Sequence, residues 1–267
     1  MKEAVMAADE RRGKVTVDAF HEGGFECVQL QSSGHRAGMD ALLLGASLPA
    51  DSIGIVADLG SGCGTAGLAA LNLCRDLDLV SVEYNDAMFE LLQKTVKLPA
   101  NARFHSRIRT LQADVTKSGT DRLEQGLSDA MFDYVLMNPP YNTGSHRPPA
   151  EKVRRDAYML GEGGLDAWLR TAAATLRPGG MLSMIYRTEN LGSVIACCQG
   201  RFGGLQFLPI HSKAGEPAKR IVVRAYKGSR APLSILPGFV VHNDDGSFTE
   251  KADLIFRGVA RLQFPDS

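Results

Sequence analysis

The sequence predicts an α/β fold in which a mostly parallel sheet carries helices on both faces. Short apolar runs alternate with segments of helical periodicity through most of the chain. The run IGIVADL at 53–59 is almost continuously apolar, as expected of a strand buried on both faces. Ligands of such sheets bind beyond the carboxyl ends of the strands. One crevice is therefore expected beside the loops that follow Leu59, Val82, Gln112 and Met137.

Seven strands are predicted, and helices lie between most of them. The strands are expected at 53–59, 78–83, 108–113, 132–137, 181–186, 205–210 and 220–226. The helices are expected at 64–75, 85–97, 165–176 and 190–199, and the third is closed by the turn Pro178-Gly179-Gly180. Strand-helix-strand repeats of this kind connect parallel strands.

The segments on either side of this core are predicted to be smaller additions. Residues 18–31 centre on Gly23-Gly24 and are typical of a β-hairpin, and 38–48 predicts a short apolar helix that Pro49 ends. The segment 232–264 predicts a second hairpin followed by a strand or helix. We therefore expect a hairpin and capping helix at 1–50, the main domain at 51–230, and a β extension packed on it at 231–267.

Composition excludes several classes of protein. The 267 residues include 30 basic and 30 acidic side chains, which argues against a strongly basic nucleic-acid packaging protein. No apolar run approaches the roughly 18 residues of a membrane helix, so no membrane partner is expected. The five cysteines lack CxxC spacing, which favours a reducing cytoplasm and argues against a disulfide framework or a metal site. They are Cys27, Cys63, Cys74, Cys197 and Cys198.

The first loop, in VADLGSGCGTAG, has the composition of a nucleotide site. Asp58 ends the strand, and glycines alternate after it, so that the backbone can turn tightly and approach a ligand closely. Gly62, Gly64 and Gly67 also match the dinucleotide pattern GxGxxG, which alone is a weak signal. A carboxylate at Asp58 would repel a pyrophosphate. It would attract S-adenosylmethionine, which carries a sulfonium and an ammonium. The candidate residues are Asp58, Gly60, Ser61, Gly62 and Gly64.

Acidic residues also end the next two strands. Glu83 follows Gly62 by 21 residues and can accept hydrogen bonds from both hydroxyls of a ribose, and Tyr84 stands beside it. Asp114 follows the third strand and suits an adenine amine, which donates hydrogen bonds. Each acid alone is also compatible with a solvated strand end. Three successive strand ends with an acid predict a cofactor site.

The fourth loop, NPPY, suggests the chemistry. An amine conjugated to a π-system is a poor nucleophile, and two acceptors can favour a more pyramidal nitrogen. The side-chain oxygen of Asn138 and the main-chain carbonyl of Pro139 can supply them, and proline holds its φ near −65°. Tyr141 offers an aromatic face worth roughly 1–3 kcal/mol by stacking. Asn138, Pro139 and Tyr141 are the candidate catalytic residues, and Asn138 also borders the cofactor.

Two regions are candidates for an RNA surface. The polar segment 142–163 is predicted to be a long loop that closes over a nucleotide, although its charges also suit a solvated loop. The region 201–230 has seven basic residues and a single acid, Glu216. The basic residues are Arg201, Lys213, Lys219, Arg220, Arg224, Lys227 and Arg230.

The motifs DLGSGCG, VEYN, AD and NPPY, in this order, resemble class I methyltransferases of the N6-adenine and N5-glutamine type. The segment RAGMDALLLG at 36–45 resembles the G-x-D-x-x-LL pattern of the bacterial tRNA1(Val) adenine-37 N6-methyltransferase family. The resemblance implies a Rossmann-like class I methyltransferase fold with a seven-stranded sheet, an N-terminal hairpin and a C-terminal β extension. It further implies S-adenosylmethionine as cofactor, an adenine in RNA as substrate, and tRNA as that RNA.

The resemblance also implies roles for individual residues. Asp58 and the glycines would hold the methionine part of the cofactor, Glu83 its ribose and Asp114 its adenine. Asn138, Pro139 and Tyr141 would hold the substrate base. Arg36 and Asp40 would help to close the cofactor pocket.

Four alternatives remain open from the sequence. A protein-glutamine N5-methyltransferase uses the same NPPY chemistry, because a glutamine amide is also planar. A guanine-N2 methyltransferase of ribosomal RNA is the second. An NAD-dependent oxidoreductase would need the glycine loop but not NPPY. A non-catalytic RNA-binding module would bind cofactor without turnover.

Overall fold

The computed structural model describes residues 15–31, 38–140 and 164–265. In these ranges a two-stranded hairpin lies beside one nine-stranded sheet. The hairpin strands are β1 (Val15–Phe20) and β2 (Phe25–Leu30). The sheet contains β3 (Gly54–Leu59), β4 (Leu77–Glu83), β5 (Ile108–Gln112), β6 (Phe132–Met137), β7 (Leu176–Arg187), β8 (Phe202–Lys213), β9 (Arg220–Lys227), β10 (Ser234–Ile235) and β11 (Phe239–His242).

Seven described segments form α-helices, and two form 3₁₀-helices. The α-helices are α1 (Met39–Gly45), α2 (Thr65–Leu73), α3 (Asp86–Val96), α4 (Gly119–Glu124), α5 (Leu165–Thr175), α6 (Leu191–Cys198) and α7 (Glu250–Phe256). The 3₁₀-helices are Pro99–Arg107 and Thr188–Asn190. None of the described helices is long and apolar enough to cross a membrane.

The strand order is β10-β8-β9-β7-β6-β3-β4-β5, and β11 also pairs with β8. All neighbours are parallel except β9, which runs antiparallel to β7 and to β8. The prediction of a mostly parallel sheet with helices is confirmed. The order reverses between β3 and β6, the place where such sheets bind ligands.

The strand count was wrong at the C-terminal end. The predicted hairpin after residue 231 is absent, because β10 and β11 do not pair with each other. Each pairs in parallel with a different stretch of β8, and helix α7 follows them. The outer edge of β8 would otherwise expose unpaired backbone groups, and short strands can cover such an edge. The sheet therefore has nine strands instead of seven.

The strand β7 also differs from its predicted bounds. Leu176 pairs with Phe132 ahead of the turn at Pro178, and regular pairing resumes at Met181 after a shift in register. The strand therefore begins before the turn that was expected to precede it. The predicted N-terminal hairpin is present, and it is attached to the core by Thr95, whose hydroxyl accepts a 2.9 Å hydrogen bond from the Val28 amide.

Each face of the sheet has its own apolar core. On one face, buried side chains of α1, α2 and β2 pack over Val56 and Leu136. On the other face, α5 and α6 pack over the residues next to these, Ala57 and Met137. The alternation follows from the period-two geometry of strands. Both central strands are thus fixed from two sides, which holds the loops at their carboxyl ends in place.

Candidate active site

The glycine loop begins directly after β3 and turns back against β4. Gly60, Gly62 and Gly64 have φ angles of 70°, 56° and 92°, a region that favours glycine. The amides of Gly60 and Ser61 donate to the Val82 carbonyl at 2.8 and 2.9 Å. A Cβ on Gly60 would overlap the ring of Trp168 on α5. At Gly60 both the backbone angle and the lack of space therefore require glycine.

Asp58 lies under this loop with 2% of its surface exposed. Its Oδ2 accepts a 2.9 Å hydrogen bond from the amide of Gly67, the third residue of α2, and so satisfies one of the donors that a helix start leaves unpaired. Burial raises the pKa of the Asp58 carboxyl to about 7, and the charge of Glu83 acts in the same direction. The hydrogen bond from Gly67 thus does not fully offset the cost of burying a charged Asp58. A cation beside this carboxylate would stabilise its ionised form.

Glu83 connects the first two loops. Its Oε2 accepts from the amide of Gly62 and its Oε1 from the amide of Asn85, both at 2.8 Å. These bonds fix the carboxylate between the glycine loop and the start of α3. Tyr84 follows with 67% of its surface exposed, so one aromatic ring stands in solvent beside the carboxylate.

Asp114 follows β5 and is held by a local turn. Its Oδ1 accepts from the amide and the hydroxyl of Thr116 at 2.9 and 2.6 Å. Its own amide donates to Gln125 Oε1 at 2.6 Å. Glu83 is the Cα partner of Gln112, the residue two positions before Asp114. The three predicted carboxylates therefore follow one another along the same edge of the sheet.

Asn138 stands beside the glycine loop. Leu59 and Met137 are Cα partners in the parallel pair β3–β6, so Gly60 and Asn138 are the first residues after two adjacent strands. Adjacent strands lie about 4.8 Å apart. Pro139 is buried and Asn138 half-buried. Tyr141 and the segment 142–163 lie outside the described residues.

The glycine loop contains a polar atom suited to a ligand. The hydroxyl oxygen of Ser61 is buried and has no hydrogen-bond partner. Buried polar atoms are nearly always hydrogen-bonded, so such an atom in a ligand loop calls for a partner. Together with the glycine backbone and the row of carboxylates, Ser61 fits a cofactor with polar and cationic groups.

Asp40 lies in the first turn of α1 and is ion-paired with the start of β9. Its Oδ2 is 2.9 Å from Nε of Arg220, the first residue of β9. The structure therefore brings Asp40 to the same edge of the sheet but beside a different strand. Arg36, its predicted companion, lies outside the described residues.

The basic residues of 201–230, the candidate RNA surface, are divided between opposite edges of the sheet and its interior. Arg224 is 5% exposed, lies 3.9 Å from the centre of the Phe264 ring and donates to the Ser47 carbonyl. Lys227 is the Cα partner of Phe202 and lies at the amino-terminal edge of the parallel strands. Because β9 runs antiparallel, its two ends lie at opposite edges. Only Lys213, Lys219 and Arg220 remain near the edge of the candidate site.

Two residues near the site were not predicted. Trp168 contacts the glycine loop from α5, and Arg187 ends β7 next to the strand that carries Asn138. Nothing in the local sequence marks either of them, because both contacts depend on which strands are neighbours. Within 15–31, 38–140 and 164–265 no group of three or more His, Cys, Asp or Glu side chains is placed to bind a metal.

Comparisons with known proteins agree with this geometry. The tRNA1(Val) (adenine(37)-N6)-methyltransferase of Shewanella sediminis is 24% identical over 250 residues, which cover 91% of this chain and 97% of that protein. A crystal structure from Agrobacterium tumefaciens, described as a predicted O-methyltransferase, is 36% identical with a TM-score of 0.72 and covers 84% of this chain and 98% of its own. A Thermus thermophilus 16S rRNA N2 G1207 methyltransferase shares the fold at 22% identity and a TM-score of 0.50, over 80% of this chain and 50% of its own.

The profile of the methyltransferase small domain family matches residues 35–204, well over half of the chain. That range includes the glycine loop, the three carboxylates and the NPPY motif. The chain therefore belongs to the methyltransferase small domain family and is a methyltransferase of the class that uses S-adenosylmethionine.

Proposed function

We propose that this enzyme methylates the exocyclic N6 amine of an adenine in RNA, and that the RNA is a tRNA. The observation that carries the proposal is the position of Asn138-Pro139 at the end of β6, one strand away from the glycine loop of β3. This places a group that can bind a planar amine beside a group that can bind the methyl donor.

The cofactor side of the site is formed by the acidic strand ends. S-adenosylmethionine, when bound, supplies a methyl group activated by a sulfonium. Asp58 and the glycine loop would hold its methionine part, and the partnerless Ser61 hydroxyl offers a further hydrogen bond. Glu83 would bind the ribose. The exposed ring of Tyr84 would face the adenine of the cofactor. The Asp114 carboxylate would accept a hydrogen bond from the amine of that adenine.

The substrate side is formed by NPPY. The Asn138 side-chain oxygen and the Pro139 carbonyl would accept the two N–H groups of the amine. Pro139 is buried, so its carbonyl is held in place. With the donor bound, Asn138 and Pro139 would direct the amine lone pair at the activated methyl carbon, S-adenosylhomocysteine would be the leaving group, and the methylated nitrogen would release one proton to solvent. Because the donor is already activated, alignment of the two reacting atoms is the main requirement and no strong base is needed.

The choice of RNA over protein has two supports. The Shewanella sediminis relative is named for the N6 methylation of a tRNA adenine and aligns over 91% of this chain. Arginine and lysine side chains also lie on the far side of the NPPY strand from the glycine loop, Arg187 at the end of the neighbouring strand β7 and Lys219 and Arg220 at the start of β9 beyond it. A nucleic acid backbone needs such cations, whereas a glutamine side chain does not.

The test is transfer of a tritiated methyl group to bulk tRNA from a strain that lacks this gene, followed by digestion to nucleosides. We expect the label in N6-methyladenosine. In a parallel reaction with a protein extract of the same strain as acceptor, label in glutamine would support the N5-glutamine reaction. Label in N2-methylguanosine or in an O-methylated product would also contradict the proposal.

A further inference from the structure

Two arginines face each other across the strands beside the NPPY motif. Arg187 and Arg220 are Cα partners in the antiparallel pair β7–β9. Directly opposed residues of such a pair have Cβ atoms about 5 Å apart, and like charges there are destabilising. This arrangement therefore costs stability unless negative charge lies nearby.

The structure places an acid beside each of these arginines, and the two ion pairs differ in their exposure to solvent. Arg187 Nη1 is 3.2 Å from Glu189 Oε1, and 68% of that glutamate side chain is exposed. Arg220 pairs with Asp40, and both side chains are about one-third exposed. Ion pairs in solvent contribute at most about 1 kcal/mol. A stronger anion can therefore displace the Glu189 carboxylate from Arg187.

A third cation adjoins the pair. The Thr188 amide donates to the Lys219 carbonyl at 3.4 Å, which ties the residue after Arg187 to the one before Arg220. The Lys219 side chain is exposed. We name Arg187, Lys219 and Arg220 the cationic row.

The cationic row lies next to the substrate site. Met137 of β6 and Met184 of β7 are Cα partners on adjacent strands. Asn138 is one residue beyond this pair on β6, and Arg187 is three residues beyond it on β7. On the other side of β6, the strands β3, β4 and β5 end in acids, which would repel an RNA backbone. Among the described strand ends, an RNA strand that places a base at Asn138 would therefore meet favourable charge toward β7 and β9.

We propose that the cationic row is a phosphate site for the RNA strand that carries the target base. The inference rests on the proposed function. Arginine binds phosphate with two parallel N–H donors, which suits two opposed guanidinium groups. The carboxylate of the cofactor methionine is another possible anion of similar chemistry, and the experiment separates the two sources.

The experiment compares the double variant Arg187→Gln/Lys219→Gln with a matched control, Arg177→Gln. Arg177 lies at the other end of β7 and pairs with Asp133 at 2.6 Å, so it is also an ion-paired arginine of the same strand. Binding of bulk tRNA, from a strain that lacks this gene, is measured with saturating S-adenosylhomocysteine at about 50–200 mM salt. Binding of S-adenosylhomocysteine alone is measured in parallel.

We expect the double variant to bind tRNA more weakly and its plot of log affinity against log salt to be shallower by about 2, or about 1 per lost phosphate contact. The Arg177→Gln variant should match the parent, and S-adenosylhomocysteine should bind equally to all three. Glu189→Gln removes the competing carboxylate and should tighten tRNA binding.

An unchanged salt slope in the double variant would overturn the phosphate site. Loss of S-adenosylhomocysteine affinity with unchanged tRNA binding would also overturn it and would assign the row to the cofactor carboxylate. In both cases methylation of tRNA by the parent protein would leave the proposed function standing. A parent protein that methylates no RNA would overturn both.

Discussion

The two halves of the sheet edge on either side of β6 carry opposite charges. On one side Asp58, Glu83 and Asp114 lie at or near the carboxyl ends of β3, β4 and β5. On the other side β7 ends in Arg187, and β9 begins with Arg220. Asn138 stands between them. The acids on one side of Asn138 suit a cationic methyl donor, and the arginines on the other side suit an anionic RNA strand. The charge of the sheet edge can therefore distinguish the two ligands.

The two halves also differ in how their charges are held. Glu83 and Asp58 accept hydrogen bonds from backbone amides of the glycine loop and α2. The arginines are paired with partly exposed side chains. Fixed, buried charges bind with little dependence on salt, whereas exposed charges are screened. The comparison predicts a tight, salt-insensitive cofactor site next to a salt-sensitive RNA surface.

The largest effect is expected at the boundary between the halves. Replacing Asn138 with Ala removes one acceptor for the amine, and turnover should fall about 100- to 1000-fold, as for loss of one preorganised hydrogen bond in other enzymes. Affinity for S-adenosylhomocysteine should stay within about twofold, measured by calorimetry. Asn243→Ala, in an exposed turn, is the control. Unchanged turnover in Asn138→Ala would remove this residue from the chemistry.

The next effect tests the acidic half through its glycine loop. Gly60 and Gly179 both have positive φ, but only at Gly60 would a Cβ meet another side chain, that of Trp168. Gly179→Ala should lower the free energy of unfolding by about 1 kcal/mol, and Gly60→Ala by about 3 kcal/mol with loss of cofactor binding. Urea unfolding of both variants provides the measurement. Equal losses would mean that the Trp168 contact does not restrict the loop.

A pH effect follows from Asp58. Its pKa of about 7 in the folded protein lies above the ordinary value of 3.8, so folding favours the neutral carboxyl. This contribution to stability is complete below about pH 4 and is lost as the pH rises through about 7. Asp58→Asn should therefore be more stable than the parent at pH 8, by up to about 4 kcal/mol, and similar at pH 4.

The same variant separates stability from binding. At pH 8 Asp58→Asn should bind S-adenosylmethionine more weakly, because the cationic donor loses its carboxylate. Thermal unfolding with and without cofactor measures both effects. A variant that is less stable than the parent at pH 8 would show that the Gly67 hydrogen bond outweighs the cost of burying the charge.

The smallest effect is spectroscopic. Trp168 is the only tryptophan of the chain and contacts the glycine loop. Filling the loop with S-adenosylhomocysteine should change its fluorescence in a saturable titration, with the affinity found by calorimetry. An emission spectrum that stays constant at saturation would place the cofactor away from Gly60.

The acidic half could be predicted from the sequence, whereas the basic half could not. Asp58, Glu83 and Asp114 each lie at or near the carboxyl end of a parallel strand, so local patterns were enough to bring them to one edge. The basic residues of 201–230 lie on two strands of opposite direction, and one of them, Arg224, is buried against Phe264. Their distribution depends on strand neighbours and burial, which local sequence does not reveal.

The same reason explains the errors in the fold. The strands β10 and β11 have two and four residues and are stabilised by the edge of β8 rather than by their own pattern. The contact of Trp168 with Gly60 joins residues more than a hundred positions apart. Features that depend on such long-range contacts required the structure.

The most direct test of the account is the nucleoside that receives the methyl group. With tritiated S-adenosylmethionine and with both tRNA and a protein extract from a strain that lacks this gene, the account predicts label in N6-methyladenosine, formed about 100- to 1000-fold more slowly when Asn138 is replaced with Ala. Label confined to protein, or to a guanosine or an O-methylated product, would contradict it.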